Sequence, residues 1–527
     1  MISSPPRDAV HDVVIIGGGP SGLATAAELA HHGVRSVVVE PRQHVSHDRP
    51  RAKTTSIRTM EHFRRWGVAD DVRERAHLKP EWSQRVLFCD NLSGDVITEF
   101  DGAFGLSGER LPFAAETSQQ VPQPVVEDVL REHLQSSGLV ELRLGSRAVK
   151  VAEDVDGVTV EIEPTDGTVT ALRARYVVGC DGGWSLCRDA IGAVLEGTSA
   201  PRANLNVVFT SRELRPVVGD AIHYWAIGPT VPGGLGRLDH DGRWWAGLAG
   251  AGHVSDEAEV CRLIGELAGV DSSHLDLRIE AMDPWTPRML LADRFSSERI
   301  FLVGESAHLN PPFGGHGFNT CVGDAVNIGW KLAAVLQGWG GPHLLASYEA
   351  ERRHVAAETI ASARANLEAS GPGISRTAEG LQRTKAEEFY SLGLVLGYAY
   401  AGSPIVAQGP EPDRREVQRY EPTFAPGARL PHAWLGPTLS LYDVLGTAFT
   451  VLAPCDFDSP SLARILDEFS SRSIPVKVAT VPAGTTGGES HLTVVRPDQH
   501  IAWTGDDASL LDPDIITGHT PSLTASV

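Results

Sequence analysis

Apolar positions along this chain follow two periods. Asp12 to Ile16 (DVVII) is a short β-branched run and predicts a buried strand. Gly17-Gly18-Gly19-Pro20-Ser21-Gly22 follows, and LATAAELAHHG then predicts an alanine-rich helix stopped at Gly33. Ser36 to Val39 (SVVV) predicts a second strand, closed by the acid Glu40. Strand, glycine turn, helix, strand and acid within roughly 30 residues make one βαβ unit. Residues 54–77 read as helical with a break near Gly67, and residues 125–137 as a helix ended by Gly138. Four short strands are expected over 139–180 (LVELRLG, AVKVAED, GVTVEIE and ARYVVGC), with hairpin turns at Asp156-Gly157 and Asp166-Gly167.

Residues 202–290 alternate β-like runs (LNVVFTS, AIHYWAI, GRWWAGLAG) with one helical stretch near 255–268, which predicts a separate sheet-based lobe. RIFLV at 299–303 returns to a buried strand, and 322–338 and 344–370 read as helices. Gly402 to Gly427 is rich in proline, glycine and charge, as a linker is. The strand-like runs FTVLA, VKVATV, LTVVR and HIAWTG beyond it predict a small α/β module over 428–527. No repeat and no low-complexity tract interrupts this order.

Length and charge narrow the function classes. A chain of 527 residues exceeds one compact core and fits two or three domains. No apolar run is long enough to span a bilayer, and the opening MISSPPRDAVHD lacks the apolar core of an export signal. The six cysteines form no CxxC pair and no zinc-spaced cluster, so no metal is expected and a reducing, cytoplasmic location is. A formal net charge of -21 disfavours nucleic acid and anionic membrane as partners, because phosphate binding needs a basic surface.

Candidate chemistry begins at Gly17-x-Gly19-x-x-Gly22. The first glycine permits a tight turn, the second lets a pyrophosphate approach the backbone, and the third lets helix and strand pack closely. Free N–H groups at the helix start, around Pro20 and Ser21, then face the phosphates. Glu40 lies 18 residues past Gly22, where a ribose hydroxyl needs an acceptor. That acid favours a free 2′-hydroxyl, hence FAD or NAD rather than NADP in this site. A second glycine-rich stretch, Gly304 to Asn319 (GESAHLNPPFGGHGFN), holds two prolines and further glycines just before a helix-like run, as a backbone pressed close to a ligand would.

Together with VVGCDGGWSLCR at 177–188, GGGPSG and GESAHLNPPFGGHGFNT resemble the three fingerprints of the class A flavoprotein monooxygenases, the para-hydroxybenzoate hydroxylase-like aromatic hydroxylases. Pro50-Arg51-Ala52 and the glutamine of Gln123-Pro-Val-Val-Glu127 match the same family, and the region from 421 resembles the thioredoxin-like tail of its phenol and polyketide hydroxylase branch, without a redox CxxC. The resemblance implies an α/β fold. Its parts are a Rossmann-like FAD-binding domain (1–180 and 296–400), an inserted β-sheet substrate domain (185–295, with part of 80–120 joining that lobe) and a C-terminal thioredoxin-like α/β domain (421–527). It implies non-covalent FAD, with NAD(P)H as a transient donor. It also implies hydroxylation of a phenolic or related electron-rich aromatic by O2, through a hydroperoxide at flavin C4a. Baeyer–Villiger or epoxidising oxidation shares these motifs. A protein that binds FAD without catalysis is the alternative of another class. Flavin halogenases carry a WxWxIP-like motif absent here. Monomer and homodimer both remain open.

The resemblance also implies residue roles. Gly17, Gly19, Pro20, Ser21 and Gly22 would hold the pyrophosphate, and Glu40, Pro41 and Arg42 the adenosine ribose and adenine end, with the Val149 backbone at adenine. Arg51 and Gln123 would contact the ribityl or phosphate part. Asp181 would face FAD and the nicotinamide donor, with Arg188 supporting its loop. Gly304 and Glu305 would meet the ribityl chain, Glu305 standing where the family carries aspartate. Pro312, Gly315, Gly317, Phe318 and Asn319 would pass along the flavin, with the Pro312 carbonyl accepting from a substrate phenol. His308 is expected to pin this loop rather than relay protons. For the substrate, strand alternation puts His223 and Trp225 on one face and Tyr224 on the other. His223 and Trp225 are the candidate pocket members, with His223 as a base near neutral pH. The strand GRWWAGL offers Trp244 and Trp245, Trp285 sits in DPWTPR, and Arg237 is expected to be a solvated arginine.

Overall fold

The computed structural model describes residues 10–165, 167–371, 373–407, 416–455, 460–488 and 491–520. Asp166 of the second turn pair and part of the expected linker therefore lie outside the described residues. Val10–Ile16, the Val-rich strand read from the sequence, is central to a seven-stranded sheet. It pairs in parallel with Ser36–Glu40 on one side and Thr170–Gly179 on the other. Val140–Leu144 and Ile300–Leu302 extend the parallel part. Gly157–Pro164 and Ser146–Asp154 add an antiparallel edge. Val13, Val14 and Ile15 are wholly buried, as strands covered on both faces require.

The helix Pro20–His31 packs on the helix His316–Leu336, and small residues set their spacing. A Cβ on Gly329 would stand 2.5 Å from Glu28 Cγ, so only glycine allows this approach. The predicted helix at 54–77 is three pieces. Thr54–Thr55 pairs with Gln119–Gln120 as a short ladder, Ile57–Trp66 is helical, and Gly67 ends that helix in a left-handed conformation before Ala69–Arg75.

The second sheet runs Arg278–Trp285, Asn204–Thr210, Arg243–Leu248, Gly233–Arg237, His223–Ala226, Val86–Cys89, Val96–Phe100. The hairpin from 86 to 100 completes it through a parallel register, His223 opposite Val86. Its outer face, with Val207, Tyr224, Leu235 and Trp244, packs on the helix Glu257–Ala268. The Tyr224 hydroxyl, on that outer face, donates to the Gly219 carbonyl and accepts from Ala221 N–H. Leu195–Ser199, Arg288–Ala292 and His308–Leu309 form a small antiparallel three-stranded sheet.

The C-terminal module has four strands in the order Val476–Val481, Phe449–Pro454, Leu492–Val495, Ile501–Gly505. The first two are parallel and joined by the helix Pro460–Ser471, and the others are antiparallel, a thioredoxin-like arrangement. Phe449, Val451 and Phe469 pack against Trp330, Trp339 and Leu344, so the module shares a core with the two long helices, His316–Leu336 and Pro342–Glu368. Among the described residues, no helix is long and apolar enough to cross a membrane.

Candidate active site

Three loops meet at the carboxyl ends of the parallel strands. Cys180 N–H donates to the Ile16 carbonyl at 2.8 Å, and Val303 N–H to the Gly179 carbonyl at 2.9 Å. Gly17, at φ +105°, lies so close to the second loop that a Cβ there would meet the Cys180 oxygen at 2.2 Å. A Cβ on Gly304 would meet Ser21 Oγ at 2.4 Å. These contacts bring Gly17, Ser21, Asp181 and Gly304 together.

Within the first loop the glycines differ. A Cβ on Gly22 would lie 1.8 Å from the Gly17 oxygen, whereas one on Gly19 would find nothing nearer than Arg42 Nη2 at 4.0 Å. Gly22 is needed for packing, and Gly19 fronts open space at the helix start, the cradle a pyrophosphate requires. Buried Glu40 accepts from Gly18 N–H at 2.6 Å and from Arg42 Nε at 2.6 Å. Arg42 reaches Glu127, which accepts from the Gln123 amide at 2.8 Å. Pro41 and Arg42 are exposed, and Val149 sits at a register shift of its strand. Arg51 holds a left-handed backbone, φ +46°, uncommon outside glycine and typical of functional loops.

The Asp181 carboxylate accepts from Ser185 Oγ at 2.6 Å and Cys187 N–H at 3.0 Å, and burial raises its pKa. Arg188 ties this loop to the third, donating to the carbonyls of Gly183 and Ser306. His308 is buried and meets Asp324 at 2.7 Å. Burial would raise the Asp324 carboxyl, yet Arg352 and His308 hold it below the usual range. The same carboxylate accepts from Gly304 N–H at 3.2 Å, so His308 belongs to a buried charge cluster that pins the loop. Glu305 is exposed and has no hydrogen-bond or ion-pair partner among the described residues.

The helix predicted from 322 starts six residues earlier, at His316, with Gly315 as its left-handed cap. Among the described residues the N–H groups of Gly317 and Phe318 have no acceptor, as a helix start leaves them. The Gly315 N–H is taken by the Pro312 carbonyl at 3.0 Å, leaving that oxygen one lone pair. Asn319 is a strut: its side chain accepts from Ser56 N–H and Thr59 Oγ1 and donates to the carbonyls of Thr54 and Gly315.

Opposite this loop stands the inner face of the second sheet. His223 and Trp225 point there together with Trp245. Between them lie Gly234 and Gly236, whose added Cβ atoms would meet Trp245 at 3.7 Å and 2.9 Å. Glycine here lets the Trp245 indole lie close against the backbone of the adjacent strand, so that the face is paved by aromatic rings. Phe313 of the loop stacks over Trp225 at 6.2 Å, and Phe104 meets His223 edge-on at 5.5 Å. The buried ring nitrogens His223 Nε2, Trp225 Nε1 and Trp245 Nε1 have no partner among the described residues. Buried polar atoms are seldom left so, which makes this face the candidate for contact with a ligand.

Burial, with Lys53 beside it, pushes His223 down to about 3. The ring is therefore neutral at pH 7, a hydrogen-bonding group rather than a base poised near neutrality. Arg237 lies over outer-face Trp244 at 4.4 Å, directed away from His223 and Trp225. Sequence reading missed Lys53, Phe104 and Phe313. Lys53 directly follows the Pro50-Arg51-Ala52 segment, which was the available signal.

The comparisons agree with this geometry. Residues 10–363 match the FAD binding domain family and residues 423–519 the aromatic-ring hydroxylase C-terminal family. A putative polyketide hydroxylase of Streptomyces halstedii is 32% identical, over 94% of this chain and 94% of that protein. Aklavinone 12-hydroxylase RdmE of Streptomyces purpurascens is 30% identical, over 94% of this chain and 96% of its own. A crystal structure of aklavinone-11 hydroxylase in ternary complex with FAD and aklavinone superposes with a TM-score of 0.84 at 26% identity, covering 98% of this chain and 100% of that one. With the open phosphate cradle, the free amides opposite an aromatic floor and matches spanning the chain, this protein belongs to the FAD-dependent aromatic-ring hydroxylases and is an aromatic monooxygenase.

Proposed function

We propose that the protein hydroxylates a planar phenolic aromatic of polyketide-like size, using NAD(P)H and O2. The observation that carries this is the aromatic face of His223, Trp225 and Trp245, whose ring nitrogens are buried without a partner among the described residues and against which Phe313 of the glycine-rich loop stacks. A flat ring system suits such a face, and the three nitrogens would orient its oxygens. Bound FAD supplies electron transfer and oxygen activation. Gly17, Gly19, Pro20, Ser21 and Gly22 hold its pyrophosphate. Glu40, Pro41, Arg42 and Val149 take its adenosine end. Arg51, Gln123, Asp181, Gly304 and Glu305 take the ribityl region, and Pro312, Gly315, Gly317, Phe318 and Asn319 the ring. The Gly317 and Phe318 amides, at a helix start, would donate to the bound ring and favour its negatively charged form. The aromatic walls exclude water from the reacting face.

The test is anaerobic stopped flow on the FAD-loaded protein with NADH or NADPH, alone and with 2-naphthol or 1,8-dihydroxyanthraquinone. The donor bleaches the flavin, faster with a phenol present, and aerobic turnover adds one oxygen to that phenol. Absence of reduction under every condition, or peroxide as the sole product of O2, overturns the reading.

Glu305→Ala tests the cofactor contact separately. Its exposed, unpartnered carboxylate is free to accept from a ribityl hydroxyl, so its loss weakens FAD binding about tenfold or more, from the roughly 1.5–3 kcal/mol of a hydrogen bond to a charged group. Unchanged FAD content after gel filtration removes Glu305 from the site.

A further inference from the structure

We propose that Lys53 anchors an ionised oxygen of the substrate, so that the protein selects planar aromatics carrying a phenolate or carboxylate. This rests on the substrate site proposed above and names the charge state that site takes.

Lys53 belongs to the segment between the cofactor loops and the aromatic sheet. Its carbonyl accepts from Val121 N–H at 2.8 Å, and the next residue, Thr54, accepts from the Asn319 strut through its own carbonyl. The backbone of Lys53 is thereby fixed two residues past strained Arg51 and beside the Gly315 loop. Its ammonium lies 4.0 Å from the centre of the Trp245 ring, on the inner face of the sheet. Trp245 in turn touches His223 edge-on, ring centres 4.9 Å apart.

The position is unusual for a lysine. Lysine is a strongly hydrated cation, and one laid against an aromatic ring inside a protein usually has a carboxylate nearby. Among the described residues no Asp or Glu pairs with Lys53, and its one hydrogen bond is to the Arg51 carbonyl at 3.1 Å. The side chain is half-buried, and the surrounding protein desolvates it enough to bring its pKa to about 8. A cation with a ring behind it and no counter-charge suits an anionic partner. The other charges near this face do not supply one. The carboxylate of Glu388 is already paired with Lys385, whose ammonium lies 5.7 Å from the Trp225 ring and 5.8 Å from Phe313, and His223 is held neutral. An oxygen between Lys53 and His223 Nε2 would satisfy both groups at once. Holding the phenol as phenolate also makes its ring richer in electrons, which is what an electrophilic oxygen donor needs.

The probes are alizarin, whose visible colour reports ionisation of its phenol, anthraquinone-2-carboxylate, and neutral anthraquinone. All three are titrated into FAD-loaded wild type, Lys53→Met and Lys53→Arg. In wild type, bound alizarin ionises about 1–2 pH units below its free value, as a cation within reach of a phenol produces. Lys53→Met abolishes that shift and weakens anthraquinone-2-carboxylate about tenfold. Lys53→Arg keeps both effects, and neutral anthraquinone binds all three proteins alike. A shift confined to alizarin identifies the phenolate as the anchored group, and an effect confined to the carboxylate probe identifies the carboxylate. Equal behaviour of wild type and Lys53→Met toward both anionic probes overturns the assignment, as does failure of the anthraquinones to bind. If phenols still accelerate flavin bleaching in that event, the assignment of Lys53 fails alone and the hydroxylase reading stands.

Discussion

Gly19→Val leaves a folded but colourless protein, whereas Gly22→Ala compromises the fold itself. The two glycines stand three residues apart in one motif, yet their surroundings are opposite. Gly19 has an extended backbone (φ -80°, ψ -171°) that any residue adopts, and a side chain there enters open space. The valine occupies only the volume in front of the helix start, where phosphate oxygens approach the N–H groups. Apoprotein stability should therefore stay within about 0.5 kcal/mol of wild type, as for substitutions away from packed features. FAD affinity should fall by about 3 kcal/mol or more, roughly a hundredfold. At Gly22 the new methyl would stand 1.8 Å from the Gly17 oxygen and 3.3 Å from Ile15 Cγ2. Backbone cannot step aside as a flexible side chain can, so the strand and helix must separate. The cost reaches or exceeds the roughly 3 kcal/mol at the upper end of overpacking. Flavin absorbance after gel filtration and thermal unfolding of the apoprotein separate the two outcomes. A yellow Gly19→Val, or a Gly22→Ala that melts with wild type, contradicts this division of roles.

That pair also shows why part of the site was legible in the sequence. Glycines that must let backbone touch backbone, or backbone touch phosphate, leave an ordered spacing, and the Val-rich strand before them fixes its context. The same holds for Gly304 and Gly314–Gly315, each with positive φ. Non-local pairing leaves no such trace. Nothing in Val86–Phe100 announces that it completes a sheet whose next strand begins at His223. The helix Ala378–Phe389 was missed because its buried face includes Lys385 and Glu388, whose mutual pairing breaks the apolar period. His223 and Trp225 were legible through alternation. Lys53 was not, because a lysine's meaning depends on whether a carboxylate meets it in space.

Glu351→Ala is expected to lower stability by about 3–5 kcal/mol, the range for breaking a buried ion pair from one side. This carboxylate is only 2% exposed and lies where the C-terminal module meets the long helices. Arg496 of the module grips it with two bonds, at 2.7 and 2.9 Å. Lys331 and Asn327, on the helix whose start faces the flavin loop, each reach it at 2.7 Å, and Ser403 at 2.6 Å. Burial alone would raise its pKa, but Arg496 and Lys331 hold it well below the carboxylate range. Asp498 pairs with the far side of Arg496 at 2.6 Å, so two anions balance two buried cations. Removing Glu351 leaves one cation in excess. Arg496 cannot shed its proton, but Lys331 can: burial already brings it to about 8 with Glu351 present, and the loss of that anion lowers it further. The unfolded chain, with lysine near 10.4, then binds more protons than the folded one from below pH 8 upward, so the variant gains stability as pH rises from 6 to 8. Wild type gains little from Lys331 over that interval, because its folded lysine stays largely protonated until pH approaches 8. The deficit of Glu351→Ala is therefore larger at pH 6 than at pH 8. Urea unfolding of the FAD-loaded proteins at both values checks this. A deficit under about 1 kcal/mol, or one equal at the two pH values, would show that the module is held by its shared Trp330–Phe449 core and not by this carboxylate.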